Sequence, residues 1–354
     1  CTTGTRSSSS HVRTFIASPY GEAKSTPRSP RSRPCCRDPG ATVAAVTVEP
    51  GVDTRNDRYI VGGVLVGALV AVAAVVLLSI GSEGPLTPLK AIILGAVEGF
   101  TEYLPVSSTG HLLVTQRLLD LGEGEAKAAA DSYVISIQIG AILAVVVLYW
   151  RRLGQITRGL AGRDVEGRGL LVALVVAFVP AAVVGLALGD TIKEELFGAW
   201  PVIAAWFVGG IFLVVWRPRP GTIELTQLTA RHAAVIGVAQ ILALWPGTSR
   251  SLVTIVAALA IGASMAAAVE FSFLLGLATL SAATFYDLAK DGQEILDVYG
   301  WRTPLVGGIV AFVTAAIAVR WLVAFLRTRP LAVFGWYRIG IALATAAMIG
   351  LDVI

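Results

Sequence analysis

The sequence predicts an all-α polytopic membrane protein. Of its 354 residues, 55% are apolar and only 15% are charged, whereas about 25% of the residues of a soluble domain carry a charge. The mean hydropathy is +0.73, and the apolar residues are gathered into runs of about 17 to 24, the length of helix that spans a bilayer. An ordinary soluble enzyme does not fit these values.

The distribution of charge argues against a nucleic-acid partner. The formal net charge is +4, and residues 1–58 hold 9 Lys and Arg against 5 Asp and Glu. The remaining residues hold 19 of each sign, so the membrane part lacks the basic surplus that nucleic-acid binding needs. The cysteines Cys1, Cys35 and Cys36 lie in the same N-terminal stretch. Neither disulfides nor thiolate metal sites are therefore predicted in the membrane part.

The N-terminal part differs from the rest of the chain. Residues 1–57 are rich in Ser, Arg, Pro, Thr and Gly and show almost no apolar periodicity. Such a composition cannot bury enough surface to offset the entropy of ordering, so it predicts a disordered basic tail. Residues 58–84 then contain a first apolar run, Tyr59–Ile80, which we interpret as an extra N-terminal transmembrane helix. The main membrane domain is expected at 85–354.

Six transmembrane helices and two interrupted hairpins are predicted within the main domain. The six spans are Tyr133–Trp150, Leu170–Leu188, Trp200–Trp216, Ala267–Leu288, Pro304–Leu326 and Leu331–Leu351. Two other apolar stretches, at about 86–119 and 230–262, are interrupted by Pro105–Gly110 and Pro246–Ser251, which are rich in Pro, Gly, Ser and Thr. Irregular backbone at membrane depth is tolerated only where protein buries it or where it lines a cavity. We therefore predict two re-entrant helix–loop–helix hairpins.

The charges of the loops agree with this topology. The loop at 151–168 holds five arginines, and further arginines follow Trp216 and lie in the turn at 327–329. The loops at 120–132 and 189–199 are acidic. Because basic loops face the cytoplasm, the signs alternate correctly only if both hairpins re-enter the membrane. The tail is then cytoplasmic and the C-terminus outside, and the hairpins enter from opposite sides.

The two hairpins also resemble each other in sequence. Gly95–Glu98 of the first reads Gly-x-x-Glu, and Gly237–Gln240 of the second, 142 residues later, reads Gly-x-x-Gln. Each is followed by Pro, one further residue, a hydroxyl residue and Ser. Together with the opposite insertion, this similarity predicts an inverted repeat with halves at about 85–216 and 230–354. Such repeats place their site near the midplane, where the broken helices meet.

Glu98 and Glu102 are the first candidate site residues. They lie four residues apart, so on a helix their carboxylates share one face. Their segment is otherwise apolar, and carboxylates in such a place are costly and usually functional. The pair either shares a proton or holds a hard cation such as Mg²⁺ or Ca²⁺. The alternative is a solvated pair on a half-exposed helix.

Hydroxyl groups and an imidazole follow the first interruption, at Ser107, Ser108, Thr109 and His111. One hydroxyl is explained by an N-cap at the start of a helix, but three hydroxyls beside a histidine are not. His111 is the only base of this region that titrates near neutral pH. A lone histidine is more often structural, and the company of His111 favours a functional role.

Arg250 lies in the second interruption, with Thr248, Ser249 and Ser251 around it. A guanidinium beside the start of a helix, with a flexible glycine and flanking hydroxyls, describes an anion site that suits phosphate. The alternative is an arginine that reaches out to the bilayer surface. Carboxylates, hydroxyls, an imidazole and a guanidinium at one midplane cavity suit phosphoryl transfer, in which positioning and charge neutralisation dominate. A substrate that reaches this depth is expected to have an apolar tail.

The motifs identify the family that the chain resembles. Gly95–His111 and Leu244–Ser251 closely resemble the two signature regions of bacterial undecaprenyl-diphosphatase, the bacitracin-resistance protein, and Glu270–Leu275 is similar to a further segment of that family. The resemblance implies a multi-pass enzyme of the bacterial plasma (inner) membrane. That enzyme converts undecaprenyl diphosphate to the monophosphate at the outer face, for reuse as the glycan carrier of peptidoglycan synthesis. It also implies six spans plus two re-entrant hairpins in inverted repeat.

The resemblance also assigns roles to residues. Glu98 and Glu102 match the acidic motif of the family, Ser108 and His111 match its hydroxyl residue and histidine, and Ser249, Arg250 and Ser251 match its second motif. On these matches we expect Glu98, Glu102, Ser108, His111 and Arg250 to be catalytic, and we hypothesise that a divalent cation, Mg²⁺ or Ca²⁺, is bridged by the two glutamates. Ser108 is expected to be the nucleophile or to orient water, and His111 to be the general base or acid. The neighbouring hydroxyl residues are expected to bind the substrate, and these are Ser107, Thr109, Thr248, Ser249 and Ser251.

Two departures from the family pattern and two rival functions accompany this reading. Leu252 and Val253 stand where the family has small residues, and the N-terminal tail and extra span lie outside the family pattern. The acid-phosphatase superfamily of lipid phosphatases expects a histidine shortly after its Ser-Arg, and 251–262 contains none. The other rival is a transporter or flippase of polyprenyl phosphate, because inverted repeats with broken helices are a transporter architecture. The expected partners are the lipid substrate and membrane lipids, and the sequence is also compatible with a homodimer.

Overall fold

The computed structural model describes residues 86–121, 124–219, 221–299 and 302–354. The predicted tail and the predicted extra span Tyr59–Ile80 lie outside these residues. Within them the regular structure is helical, and the β contact found there is an isolated bridge between Ile223 and Ala263. The predicted all-α class is confirmed for the described part of the chain.

Eleven α-helices make up the described part of the chain. In order they are α1 Pro88–Thr101, α2 Ser108–Leu118, α3 Gly124–Leu148, α4 Trp150–Leu160, α5 Val165–Leu196, α6 Ala199–Val215, α7 Ala230–Gln240, α8 Arg250–Ala260, α9 Met265–Tyr299, α10 Arg302–Leu326 and α11 Ala332–Gly350. Two short 3-10 turns, Leu225–Gln227 and Ile241–Leu244, flank α7.

Five helices among the described residues are long and apolar enough to cross a membrane. They are Ala130–Leu148 within α3, Val165–Leu196, Met265–Ala289 within α9, Arg302–Leu326 and Ala332–Gly350. The sixth predicted span corresponds to α6, which has 17 residues and is about 26 Å long at 1.5 Å per residue. That length lies at the lower end of what spans a bilayer. The chain is therefore a multi-pass membrane protein.

Helix α4 replaces most of the loop that the sequence predicts at 151–168. Leu153 and Ile156 pack against the hydrophobic core, while Arg152 forms an ion pair of 2.6 Å with Glu270 of α9. The segment is therefore an amphipathic helix, and its high arginine content conceals the apolar face from a hydropathy average.

Both predicted interruptions are present as turns between short helices. The first arm of one hairpin begins with Pro88 at the first helical turn and is capped by Thr87. That arm ends at Glu102, and α2 begins after Ser107, whose φ is 73°. In the second hairpin Gly247 has φ 89° and Ser249 has φ 75°. Positive φ is uncommon outside glycine, so both turns are specified rather than loose.

The first arm of each hairpin packs closely on a long helix. Helix α1 packs on α10, where Gly95 meets the backbone of Gly307, and α7 packs on α5, where Gly237 meets the backbone of Ala177. Helix α6 packs on α11, and α3 packs on both α9 and α10. A side chain at either glycine would collide with backbone, so these glycines set how closely the hairpins approach the core.

Candidate active site

The carboxylate of Glu102 joins the two hairpins. Its Oε1 atom accepts a bond of 3.0 Å from Nη2 of Arg250, and its Oε2 atom accepts a short hydrogen bond from the hydroxyl of Ser108. The side chains of Arg250 and Glu102 are only 12% and 7% exposed. Three of the predicted catalytic residues, from three places in the sequence, therefore meet at one shielded point.

The guanidinium of Arg250 is fixed from several sides. Its Nη1 atom donates to the backbone oxygen of Ser272 on α9 at 3.2 Å, and its Cζ atom lies 5.9 Å from the centre of the Tyr103 ring. A Cβ atom at Gly276 would overlap the guanidinium, so the missing side chain there leaves room for it. Arg250 points into the protein and does not reach out to the bilayer surface.

Glu98 lies one helical turn before Glu102 and is almost fully buried. The backbone N–H of Glu102 donates to the Glu98 carbonyl at 2.9 Å, and the Glu98 side chain lies within electrostatic range of Glu102 and Arg250. The residue is 1% exposed, and its Oε1 atom has no hydrogen-bond partner among the described residues. An unpaired polar atom at such a place is costly, which makes Glu98 a candidate to bind a group that the protein itself does not supply. The solvated pair that composition allowed is therefore not what the structure shows.

His111 does not contact Ser108 directly. Its Nδ1 atom lies 2.6 Å from the carbonyl oxygen of Ser107 and its Nε2 atom lies 2.7 Å from the hydroxyl of Tyr337. Because a carbonyl oxygen can only accept, the proton of the neutral ring is on Nδ1. Trp206 packs edge-on against the imidazole at 5.0 Å, and Tyr337 stacks on it at 5.7 Å.

The hydroxyls predicted around Arg250 bind backbone atoms. Ser251 donates to the carbonyl of Leu104 at 2.8 Å and lies 3.1 Å from the hydroxyl of Ser249. Ser249 also caps α8 by accepting from the N–H of Leu252 at 3.3 Å. These two serines therefore join the second hairpin to the turn of the first.

The remaining predicted hydroxyl residues lie at the two turns. Ser107 contributes its carbonyl oxygen to His111 and makes no capping bond with its side chain. The N–H of Thr248 donates to the carbonyl of Trp245 at 3.1 Å, while Thr109 lies half-buried in the first turn of α2.

Arg338 of α11 is a site residue that the sequence reasoning missed. It is fully buried, and its guanidinium donates to the carbonyl oxygens of Pro105 at 3.4 Å, Thr248 at 3.2 Å, Ala205 at 2.8 Å and Gly247 at 2.9 Å. One side chain thus ties the turns of both hairpins to α6. Charged hydrogen bonds of this kind contribute about 1.5 to 3 kcal/mol each.

A signal for Arg338 was present in the sequence. Arginine is rare inside an apolar span and usually faces the protein interior there. The predicted span Leu331–Leu351 contains this single charged residue before its end. The rule that singled out the glutamates therefore also applies to Arg338.

The donor set for a divalent cation is small. No group of three or more His, Cys, Asp or Glu side chains that could hold a metal ion lies within the described residues. Glu98 and Glu102 remain, and both oxygens of Glu102 have protein partners. A Mg²⁺ ion bound by one or two carboxylates usually completes its shell with water and substrate phosphate, so the pair fits a cation only in company with a phosphate ligand.

Comparison with known proteins gives a consistent result. The family model described as bacitracin resistance protein BacA matches residues 91–344. The chain is 46% identical over 258 residues to the undecaprenyl-diphosphatase of Sorangium cellulosum, with 71% of this chain and 83% of that protein covered. It is 44% identical over 263 residues to undecaprenyl-diphosphatase 2 of Rhodospirillum rubrum, with 73% and 94% covered. It is 40% identical over 255 residues to undecaprenyl-diphosphatase 1 of Acinetobacter baylyi, with 71% and 92% covered.

Proposed function

The chain belongs to the bacitracin resistance protein family, and from this membership we propose that it hydrolyses undecaprenyl diphosphate to undecaprenyl phosphate and inorganic phosphate. The reaction returns the lipid carrier to cell-wall synthesis and gives resistance to bacitracin. The observation that carries the proposal is the contact of Glu102 with both Ser108 and Arg250 in a shielded site.

Arg250 and two helix starts hold the diphosphate in this proposal. Helices α2 and α8 begin at Ser108 and Arg250, and the first N–H groups of a helix lack intrahelical partners. Such N–H groups, with the positive end of the helix dipole, attract phosphate. The guanidinium can bind two phosphate oxygens at once. It would exchange its contact with Glu102 for one with the substrate.

Glu102 is the proposed base for the attacking oxygen. Its Oε2 atom already accepts the hydrogen bond of Ser108, whereas both ring nitrogens of His111 have other partners. In the proposed step Ser108 Oγ attacks the terminal phosphorus and passes its proton to Glu102. The bond from that phosphorus to the bridging oxygen breaks, undecaprenyl phosphate leaves, and water then hydrolyses the phosphoserine. In the second form of the step, Ser108 orients a water molecule that attacks directly.

A divalent cation, Mg²⁺ or Ca²⁺, is proposed at Glu98 and Glu102. The unpartnered Oε1 atom of Glu98 is the observation that supports it. When bound, the cation would supply neutralisation of the charge that develops on the phosphate oxygens. The carboxylates of Glu98 and Glu102 would be the residues that hold it, together with oxygen atoms of the substrate.

An inverted repeat with two re-entrant hairpins is proposed for the finer architecture. Helices α1 and α7 begin 142 residues apart, as do α2 and α8. Ser107 and Ser249 share a rare backbone conformation, with φ and ψ of 73° and 106° against 75° and 112°. This spacing pairs Ser108 with Arg250, one residue later than the alignment of the motifs by their prolines. The packing is also reciprocal: α1 of the first half packs on α10 of the second half, and α7 of the second half packs on α5 of the first half.

The proposed location is the bacterial plasma membrane, with the active site open to the outside. The arginines of α4 and of the turn at 327–329 support the orientation, because basic segments stay in the cytoplasm. The N-terminal tail is then cytoplasmic and the C-terminus outside. The sequence is also compatible with a homodimer.

The test is phosphate release from undecaprenyl diphosphate by the purified protein in detergent. We expect release by the native protein, and loss of it in Arg250→Ala and Glu102→Ala. Arg163→Ala, which removes an exposed arginine between α4 and α5, is the matched control and should keep the native rate. A native rate in either site variant would refute the assignment. Movement of polyprenyl phosphate across sealed vesicles without hydrolysis would favour a transporter, which the relatives' names do not favour.

A further inference from the structure

His111 is enclosed between two aromatic rings, and both of its nitrogen atoms are engaged. Tyr337 stacks on one side with the two ring planes 7° apart, and Trp206 packs edge-on against the imidazole. The carbonyl of Ser107 accepts from Nδ1, so Nε2 carries the lone pair of the neutral ring. The hydroxyl of Tyr337 lies 2.7 Å from Nε2 and donates a hydrogen bond to that lone pair.

Tyr337 is itself held in place by its neighbour in the chain. Arg338 is anchored by carbonyl oxygens of both hairpin turns and of α6. These hydrogen bonds fix the backbone of α11 at Arg338 and therefore also at the adjacent Tyr337. Tyr337 is 46% exposed, so its ring covers the half-buried imidazole from the open side.

We propose that Tyr337 is a positioning residue for the reaction: its hydroxyl holds Nε2 of His111 and keeps the imidazole oriented beside the first turn of α2. The inference rests on the proposed function and gives His111 a supporting place in it: the imidazole lies in the first turn of α2, where the phosphate is proposed to bind, and the proton of Ser108 still passes to Glu102. A phenol hydroxyl can both donate and accept. It can therefore donate to the neutral ring and accept from the charged ring, so that His111 keeps its partner when it gains or loses a proton.

The electrostatic surroundings of the ring give this partner its importance. The charged residue whose field reaches the imidazole is Arg338, and the other groups in contact with it are the Ser107 carbonyl, Trp206 and Tyr337. No carboxylate among the described residues bonds to His111 to orient it, as a carboxylate does in a catalytic triad. Here the Tyr337 hydroxyl orients the ring instead, and it does so at Nε2 rather than at Nδ1, the atom that a triad carboxylate binds.

The first measurement is steady-state kinetics of Tyr337→Phe with undecaprenyl diphosphate in detergent. The variant keeps the stacked ring and removes only the hydroxyl. We expect kcat to fall about fivefold to tenfold, the loss that one hydrogen bond to a group beside the substrate accounts for, with KM within about twofold of the native value. Tyr286→Phe, which removes the hydroxyl of an exposed tyrosine on α9, is the matched control and should keep both constants.

A double-mutant cycle distinguishes an effect through His111 from a general structural one. In a His111→Gln background, Tyr337→Phe should cause no further fall in kcat, because the group it orients has been removed. An equal fall in both backgrounds would overturn the inference, and so would a rise in KM with kcat unchanged. If the native protein releases phosphate and Tyr337→Phe matches it, the inference alone fails. If the native protein releases none, the proposed function fails and the inference with it.

A second measurement uses the native protein and so does not depend on any variant folding. The ¹⁵N chemical shifts of the histidine ring report which nitrogen carries the proton. We expect His111 to carry it on Nδ1 and to show a hydrogen-bonded, unprotonated Nε2 at alkaline pH. A proton on Nε2 of the neutral ring would overturn the inference.

Discussion

The helices of the first hairpin, Pro88–Leu118, and of the second, Ala230–Ala260, begin at matching positions, but their side chains carry opposite charges at the site. Where the first carries Glu98, Glu102 and His111, the positions 142 residues later are Gln240, Leu244 and Val253. Where the first has Ser108, the second has Arg250. The two hairpins thus share one backbone arrangement, and each supplies a helix start. The first hairpin contributes the acidic side chains, and the second contributes the guanidinium of Arg250. Neither hairpin contains both charges of the site, so the site forms only when the two meet.

The comparison extends to the cost of burial. Glu98 and Gln240 occupy related positions and are 1% and 2% exposed. Each has side-chain atoms without a hydrogen-bond partner among the described residues. Both hairpins therefore retain an unpaired polar group at corresponding positions, but only the first has an acid there. An acidic group at that position, rather than polarity alone, is what the first hairpin contributes.

The largest effect is expected where the two hairpins differ most, at Glu102 and its counterpart Leu244. Glu102→Gln keeps the shape but removes the charge and the base, so kcat should fall about a hundredfold to ten-thousandfold. Leu244→Ala should change kcat by less than about tenfold, since this half-buried residue contributes only packing. Phosphate release by both variants measures the contrast, and equal losses would show that the hairpins do not divide the work in this way.

The next effect concerns the residue that holds both hairpins. Arg338→Ala leaves four carbonyl oxygens without their donor and should lower the free energy of unfolding by about 3 kcal/mol or more. Thermal unfolding in detergent measures it, with the exposed Arg329→Ala as control. Arg338→Lys should recover only part of the loss, because an ammonium group cannot reach all four acceptors. Stability equal to that of the control would show that the two turns keep their structure without Arg338.

A pair of exchanges makes the two hairpins alike at the buried polar position. Glu98→Gln should raise the Mg²⁺ concentration needed for half-maximal phosphate release about tenfold to a hundredfold, because one proposed ligand is lost. Gln240→Glu should lower stability without raising activity, because it buries an acid that lacks a partner. Titration of the metal-free protein with Mg²⁺ checks the first, and native metal dependence in Glu98→Gln would remove the proposed cation from this site.

The smallest effect is expected at the glycine beside Arg250. In Gly276→Ala the new methyl group would overlap the guanidinium, but the end of an arginine side chain can move. We expect kcat to fall by less than about tenfold with no loss of stability. Gly308→Ala, where a Cβ meets nothing within 4 Å, is the control. Kinetics of the two variants would show how strongly kcat depends on the position of the Arg250 guanidinium.

The sequence could predict the helices, the interruptions, the acid pair and the arginine, because each leaves a local signal. Long apolar runs and clusters of Pro, Gly and hydroxyl residues are visible without knowledge of tertiary contacts. The contact of Ser108 with Glu102 could not be predicted, since it depends on how one turn folds back on its own helix. The Tyr337 contact of His111 joins positions 226 residues apart, and no local pattern reports such a distance. Arg338 leaves a local signal, one charge within an apolar span, but the four carbonyl groups that it binds lie in distant segments that no local pattern identifies.

The anchoring of both turns by Arg338 bears on the order in which the protein is made. During synthesis the two hairpins leave the ribosome well before α11, so their turns reach the membrane without the guanidinium that ties them. The hydrogen bonds of Arg338 to both turns can therefore form only after α11 has been synthesised. Until then a nascent chain already has its acid pair and its Arg250, but it lacks the guanidinium that joins the two turns.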